Sequence, residues 1–161
     1  MEETEKEFLK KYDASKYQKP SVAADIVIFS TCNMENVDSG ELKLLLVKRG
    51  KHPYKNAFAL PGGFVGIDET IEEAARRELL EETGVDCEFL EQLRTTSTVD
   101  RDPRYRVISA SYIALIDAEK YTIKAGDDGL AFDHALIIGY AIWKLKSWKK
   151  IKTTIPIIAK R

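Results

Sequence analysis

Three glutamates, Glu78, Glu81 and Glu82, fall within five residues of one another in the run RRELLEETG. Carboxylates gathered at this density raise one another's pKa unless a cation sits among them. Two readings compete: a solvated acidic helix face, or a cradle for a metal ion. On a helix of 3.6 residues per turn, Ile71, Ala74 and Ala75 form a core-facing stripe. Steps of three and four residues carry that stripe on to Glu78, Glu81 and Glu82, whereas a solvated face would lie on the other side, where Glu73, Arg76 and Arg77 partly sit. The spacing therefore favours a cradle. Glu78 and Glu82, at i and i+4, can point at one ion, and Glu81 can serve a second. With oxygen ligands and no His or Cys in the group, Mg²⁺ is the expected metal and Mn²⁺ an acceptable one.

The helix that carries these residues is expected over 70–83 and stopped by Gly84, a residue suited to the left-handed position after a helix. Ahead of it, HPYKNAFALPGGFVGIDE is rich in Gly and Pro and is expected to be irregular. SVAADIVIFS reads as a buried strand, NMENVDSGE as a hairpin loop, and LKLLLVKR as a second strand. Further strands are expected in VDCEFLEQLRTTSTV and YRVISASYIALI, and a helix in FDHALIIGYAIWKLKSWKK. A short amphipathic helix is expected around Phe8, Leu9 and Tyr12, within an N-terminal extension over 1–18. Strands with two or three helices imply an α/β or α+β sandwich in one domain over 1–161.

Composition narrows the function classes. With 25 basic and 26 acidic residues, no global field draws the chain to nucleic acid or an anionic membrane. Any polyanion must be met locally. The start MEETEKEFLKKY is charged throughout, and no apolar run approaches the ~20 residues that span a bilayer. A cytoplasmic location is expected. Cys32 and Cys87 lie far apart without metal-ligand spacing, as reduced thiols would.

The segment from Gly63 to Val85, with Glu69, Arg77, Glu78, Leu79, Glu81, Glu82 and Gly84 between, resembles the Nudix box, Gx5Ex7REUxEExGU with U aliphatic, at every fixed position. The resemblance implies a Nudix-type α/β/α sandwich with a mixed β-sheet and a loop–helix–loop metal site over 63–85. It implies Mg²⁺-dependent hydrolysis of a nucleoside diphosphate linked to another moiety. Glu78 and Glu82 become the main metal ligands, Glu81 supports a further ion, and backbone oxygen near Gly62 and Gly63 completes the shell. Gly63, Glu69 and Gly84 are structural residues of the motif, and Arg77 orients the ligand carboxylates. Family members often draw a general base from a later loop, which makes Asp127 and Asp128 candidates here. Both also suit a turn in AGDDG.

Flanking segments, among them DRDPRYRV and LAFDHALII, resemble a branch holding ADP-ribose pyrophosphatases and NrtR-type repressors. That resemblance implies ADP-ribose as substrate, cut to AMP and ribose 5-phosphate. Arg49, Arg101, Arg104 and Arg106 then become candidates for phosphate or ribose oxygens. Tyr54, Phe58 and Phe64 are candidates to stack on adenine or to pack in the core. His134 is expected to cap or pack at the start of the last helix. Two departures stand out: Tyr105 replaces a usual glycine, and Gly129 alone separates Asp128 from Leu130, where relatives carry about a dozen residues. An enzyme is expected, because the box is intact and no basic recognition helix is present. The alternatives are an ADP-ribose-sensing domain of an NrtR-like regulator and a house-cleaning pyrophosphatase for other nucleotides. A homodimer is expected by the same resemblance.

Overall fold

The computed structural model describes residues 3–31, 43–87, 89–117, 124–125, 130–148 and 157–160. Its elements are helix α1 (Glu5–Lys11), strands β1 (Ser21–Thr31), β2 (Lys43–Lys48), β3 (Phe58–Ala59) and β4 (Gly62–Phe64), helix α2 (Ile71–Thr83), strands β5 (Leu90–Thr96), β6 (Val107–Asp117) and β7 (Lys124–Ala125), helix α3 (His134–Trp148) and strand β8 (Ile157–Lys160).

The apolar run expected to be a buried strand is the centre of the molecule. β1 pairs with β6 in parallel along its whole length, from Ser21 opposite Val107 to Thr31 opposite Asp117. On its other side β1 is antiparallel to β2. The sheet order is β5-β6-β1-β2-β8-β7, with β3 added to β2 and β4 to β1. Because successive side chains point to opposite faces, β1 feeds two cores. Val27 and Phe29 pack with Leu44, Leu46, Ile137 and Ala141 on the α3 side. Ala24, Ile26 and Ile28 pack with Ala75, Leu79 and Val85 on the α2 side. A mixed sheet covered on both faces is the expected α/β/α sandwich. Truncating fully buried Leu79 to alanine would cost about 2–5 kcal/mol.

Three local expectations need correction. The Gly- and Pro-rich stretch is not wholly irregular, since it contains β3 and β4. The strand expected from Val85 begins only at Leu90. Ile71 is 36% exposed rather than core-facing; the buried stripe of α2 is Ala74, Ala75, Leu79 and Thr83. α1 forms where expected, through a Thr4–Glu7 capping box, and buries no residue. Asp127, Asp128, Cys32 and the residues expected in the first hairpin loop lie outside the described residues. Cys87 is a buried free thiol whose pKa is pushed up by burial. Among the described residues, no helix is long and apolar enough to cross a membrane.

Candidate active site

α2 begins and ends as its sequence requires. Thr70 accepts from the Glu73 amide while the Glu73 carboxylate accepts from Thr70, and Gly84 closes the helix at φ 70°. This fixes the helix that presents Arg77, Glu78, Glu81 and Glu82. Arg77 then becomes a hub. Its Nε and Nη2 grip both oxygens of Glu69 at 3.0 and 2.7 Å, its Nη1 reaches Glu78 Oε1 at 2.6 Å, and Nη2 also meets the Phe64 carbonyl at 3.2 Å. Glu69 accepts a further bond from the Gly66 amide at 2.7 Å. The guanidinium first, and that amide second, pull the Glu69 carboxyl down to about 2. The same carboxylates, Glu69 ahead of Glu78, raise the pKa of Arg77.

Across from α2 stand Gly62 and Gly63 on β4, opposite Asp25 and Ala24 of β1. A Cβ on Gly63 would collide with the carboxylate of Glu78, and one on Gly62 with the Ala24 carbonyl. Glycine at 63 lets the Glu78 carboxylate meet the backbone, and glycine at 62 lets β4 lie close against β1. The Gly62 amide donates to Glu82 Oε2 at 3.0 Å. Glu82 is exposed as a whole residue, yet its carboxyl is crowded by protein. That desolvation, opposed by the Gly62 bond and helped by Glu78 and Asp25, raises its pKa.

The three glutamates are not equivalent. The Glu78 side chain is 15% exposed and set against Gly63, whereas Glu81 is 60% exposed and turned to Arg77 at 3.3 Å. Among the described residues, no three carboxylate, imidazole or thiolate side chains already converge on one point. Glu78 and Glu82 still form a hard-oxygen pair with crowded negative charge beside the half-buried backbone of Gly62 and Gly63. That donor chemistry fits Mg²⁺ or Mn²⁺.

Next to this pair opens a cavity of about 150 Å³, with Arg49, Arg104, Phe64 and Phe132 among its walls and Gly62 and Gly63 at its edge. Arg49 donates to the Pro53 carbonyl at 2.8 Å and lies over the Phe132 ring at 4.8 Å. Burial, and after it the charge of Arg104, weakens its hold on its proton. Arg104 is held by Asp102 at 2.7 Å and hangs over Phe64 at 5.4 Å. Tyr54 sits behind the wall, edge-on to Phe132, and Tyr105 stacks on Phe64.

The other expected cations are differently employed. Arg101, on the cavity floor, grips Asp133 at 2.7 Å and Asp25 at 3.2 Å with its side chain 5% exposed. Burial alone would lower its pKa, but the two carboxylates more than offset this and raise it. Arg106 donates to the carbonyls of Ser97 and Thr98. Phe58 is a core residue. His134 begins α3 as expected, accepting from the Leu60 amide on Nδ1 at 2.8 Å. Burial holds its pKa below the usual value, against the pull of Asp25 and Asp133, so the imidazole is neutral.

Sequence reasoning did not single out Asp25, Asp102, Phe132 or Asp133. Asp25 had a usable signal, being the lone charge in the apolar run SVAADIVIFS. Its carboxylate accepts from Ser109 and Arg101 in the buried floor of the cavity.

Comparison with known proteins agrees with this geometry. The family model described as the NUDIX domain matches residues 22–136. The chain is 41% identical over 156 residues to an ADP-ribose pyrophosphatase of Methanocaldococcus jannaschii, covering 86% of this chain and 85% of that one. It is 35% identical to the ADPR responsive transcriptional repressor NtrR of Acinetobacter baylyi over 96% of this chain, but spans only 65% of the repressor's length. The NUDIX domain of Shewanella oneidensis NrtR, solved with ADP ribose, superposes with a TM-score of 0.74 at 32% identity, covering 89% of this chain and 99% of that one. With the intact box on its loop–helix–loop and the matching sheet beneath it, the chain belongs to the Nudix family and has the site architecture of a Nudix pyrophosphohydrolase.

Proposed function

We propose that the protein hydrolyses ADP-ribose to AMP and ribose 5-phosphate, with Mg²⁺ as its metal and Mn²⁺ as a substitute. One observation carries this reading: Gly62 and Gly63, which meet the carboxylates of Glu82 and Glu78, also line a cavity walled by Arg49, Arg104 and aromatic rings. The similarity to the Methanocaldococcus pyrophosphatase and to the NrtR domain solved with ADP ribose supports this choice of substrate. The working form is proposed to be a cytoplasmic homodimer acting on a small nucleotide, with neither membrane nor nucleic acid as partner.

The chain's own residues divide the work. Glu78 and Glu82, with Gly62 backbone oxygen, would hold the first ion, and Glu81 on the rim a further one. When bound, such ions offset the diphosphate's charge and lower the pKa of a water that attacks phosphorus. Arg77 fixes the rotamer of Glu78 and ties it to the loop through Glu69, as outer-shell partners of metal ligands do. Arg49 has no carboxylate in ion-pair contact among the described residues, so it is available to a phosphate oxygen. Arg104 stands beside it, with Asp102 setting its direction. Attack by water breaks one P–O bond of the diphosphate, and the departing phosphate oxygen keeps the electron pair. Asp127 and Asp128 remain the proposed sources of a general base.

A second reading, an ADP-ribose-sensing domain, is favoured by the similarity to the Acinetobacter repressor. The two readings separate in a coupled phosphatase assay with Mg²⁺ and ADP-ribose, NADH, a dinucleoside polyphosphate and 8-oxo-dGTP. Preferential turnover of ADP-ribose supports the enzyme. Binding of ADP-ribose without turnover supports the sensor, and preference for 8-oxo-dGTP or the polyphosphate supports a house-cleaning hydrolase.

A further inference from the structure

We propose that Phe132 is the platform on which the planar base of the nucleotide stacks, an assignment that rests on the nucleotide-hydrolase reading above. The backbone of Phe132 lies at φ 50°, in the left-handed region. A bulky aromatic residue is a real outlier there, and glycine or asparagine would adopt the conformation with less strain. Such strain persists only where the surroundings enforce it, and it clusters at functional sites.

The enforcing contacts are visible on both sides. The Ala131 amide donates to the Phe58 carbonyl at 2.7 Å, and His134 Nδ1 accepts from the Leu60 amide at 2.8 Å. The chain must therefore reverse between these anchors. Nothing in the reversal requires an aromatic side chain. Burial does not explain one either, since Phe132 is only partly buried and belongs to neither of the two core clusters among the described residues. Its neighbour Leu130, by contrast, packs against one of them.

The ring goes into the cavity wall. Tyr54 braces it edge-on at 4.9 Å, and His134 lies at 5.4 Å. Two guanidinium groups already use it, Arg49 at 4.8 Å and Arg104 at 5.9 Å from its centre. Arg104 is simultaneously 5.4 Å from the Phe64 ring and 5.8 Å from Tyr105. A planar cation thus rests among three aromatic rings in the cavity that Gly62 and Gly63 also line. A flat heteroaromatic base has the shape to share that slot, stacking on rings and on the guanidinium plane. The cavity of about 150 Å³ is large enough to take a single aromatic group. With the base on Phe132, the phosphates extend past Arg49 toward Gly62 and the carboxylates.

The test compares AMP with ribose 5-phosphate, which lacks the base, by titration calorimetry on wild type, F132L, F132Y and F132G. F132L should bind AMP about tenfold or more weakly, in line with the loss of one base–aromatic stack. F132Y should keep AMP affinity within about threefold, and ribose 5-phosphate should respond equally weakly to all four proteins. F132G should match F132L in its loss of AMP while melting at or above the wild-type temperature, because glycine relieves the left-handed strain. An unchanged AMP affinity in F132L, or no measurable AMP binding by wild type, would overturn the proposal. So would an equal loss of AMP and ribose 5-phosphate in folded F132L and F132G. AMP binding that depends on Phe132 in a protein that hydrolyses no ADP-ribose would sink the enzyme reading and leave the platform standing. Turnover of ADP-ribose with Phe132-independent AMP binding would do the reverse.

Discussion

The buried amide of Leu60 donates to Nδ1 of His134 at 2.8 Å, across 74 residues of sequence, so the first residue of α3 holds the turn that leads into Gly62 and Gly63. The bond assigns the free imidazole hydrogen to Nε2, which faces Asp25 Oδ1 at 3.7 Å. H134F should destabilise the protein by about 1–3 kcal/mol, because the Leu60 amide is left unsatisfied. The native pKa lies below the unfolded value near 6.5, so as pH falls through that value the unfolded chain takes up a proton that the native state refuses. Urea unfolding at pH 7.5 and pH 5.5 should show wild type losing stability between the two, with a smaller loss in H134Q.

Gly62 and Gly63 should respond differently to alanine. At Gly63 the added Cβ strikes the end of a flexible side chain, Glu78. G63A should fold with a nearly normal melting temperature but lose about 10- to 100-fold in Mn²⁺ affinity, read by calorimetry, as ligand-orienting substitutions commonly do. At Gly62 the Cβ strikes backbone, and φ is 152°. G62A should lower the melting temperature itself.

The fork between Arg77 and Glu69 predicts acid sensitivity. Glu69 titrates at about 2 in the folded protein, against 4.5 for an unperturbed glutamate. Its contribution to stability is therefore present above pH 4.5 and is lost as pH falls from there toward 2. Melting temperatures between pH 2 and pH 5 should fall less steeply in E69Q than in wild type. R77K keeps the charge but loses the fork, and should weaken metal binding without restoring that slope.

Arg49 and Arg101 look alike in sequence but should separate cleanly. R49A removes a cation that faces the cavity without a carboxylate partner among the described residues, and should raise KM for ADP-ribose by about tenfold or more while the melting temperature holds. R101A strands Asp25 and Asp133 and should cost about 3–5 kcal/mol of stability. Thermal melts beside steady-state kinetics of the two variants give the check.

Most of the acidic helix proposed to hold the metal was legible because its signals are local. Helix spacing placed Glu78 and Glu82 together, Gly84 marked the end of α2, and the apolar run of β1 marked a strand buried on both faces. Failures came where tertiary pairing decided. Ile71 matched the helical stripe, but it lies in the first turn, where the helix is still emerging from a loop. β3 and β4 are two and three residues long and exist only because β2 and β1 offer them partners. Arg101 read as a substrate cation because nothing nearby in sequence announces that Asp25, 76 residues away, and Asp133 will meet it in the core. Phe132 was invisible for a related reason. Only the folded anchors on Phe58 and Leu60 force its backbone into the left-handed region.

Hydrolysis of ADP-ribose at the Glu78–Glu82 pair, as proposed above, can be tested in one experiment. The most direct measurement is chromatographic detection of AMP and ribose 5-phosphate from ADP-ribose and Mg²⁺, with wild type run beside E82Q and calorimetric Mn²⁺ binding measured on both. Wild type should yield both products, and folded E82Q should lose at least about 100-fold in rate together with a clear loss of Mn²⁺ affinity. Tight binding of ADP-ribose by wild type with no product formed, or full turnover by E82Q, would contradict it.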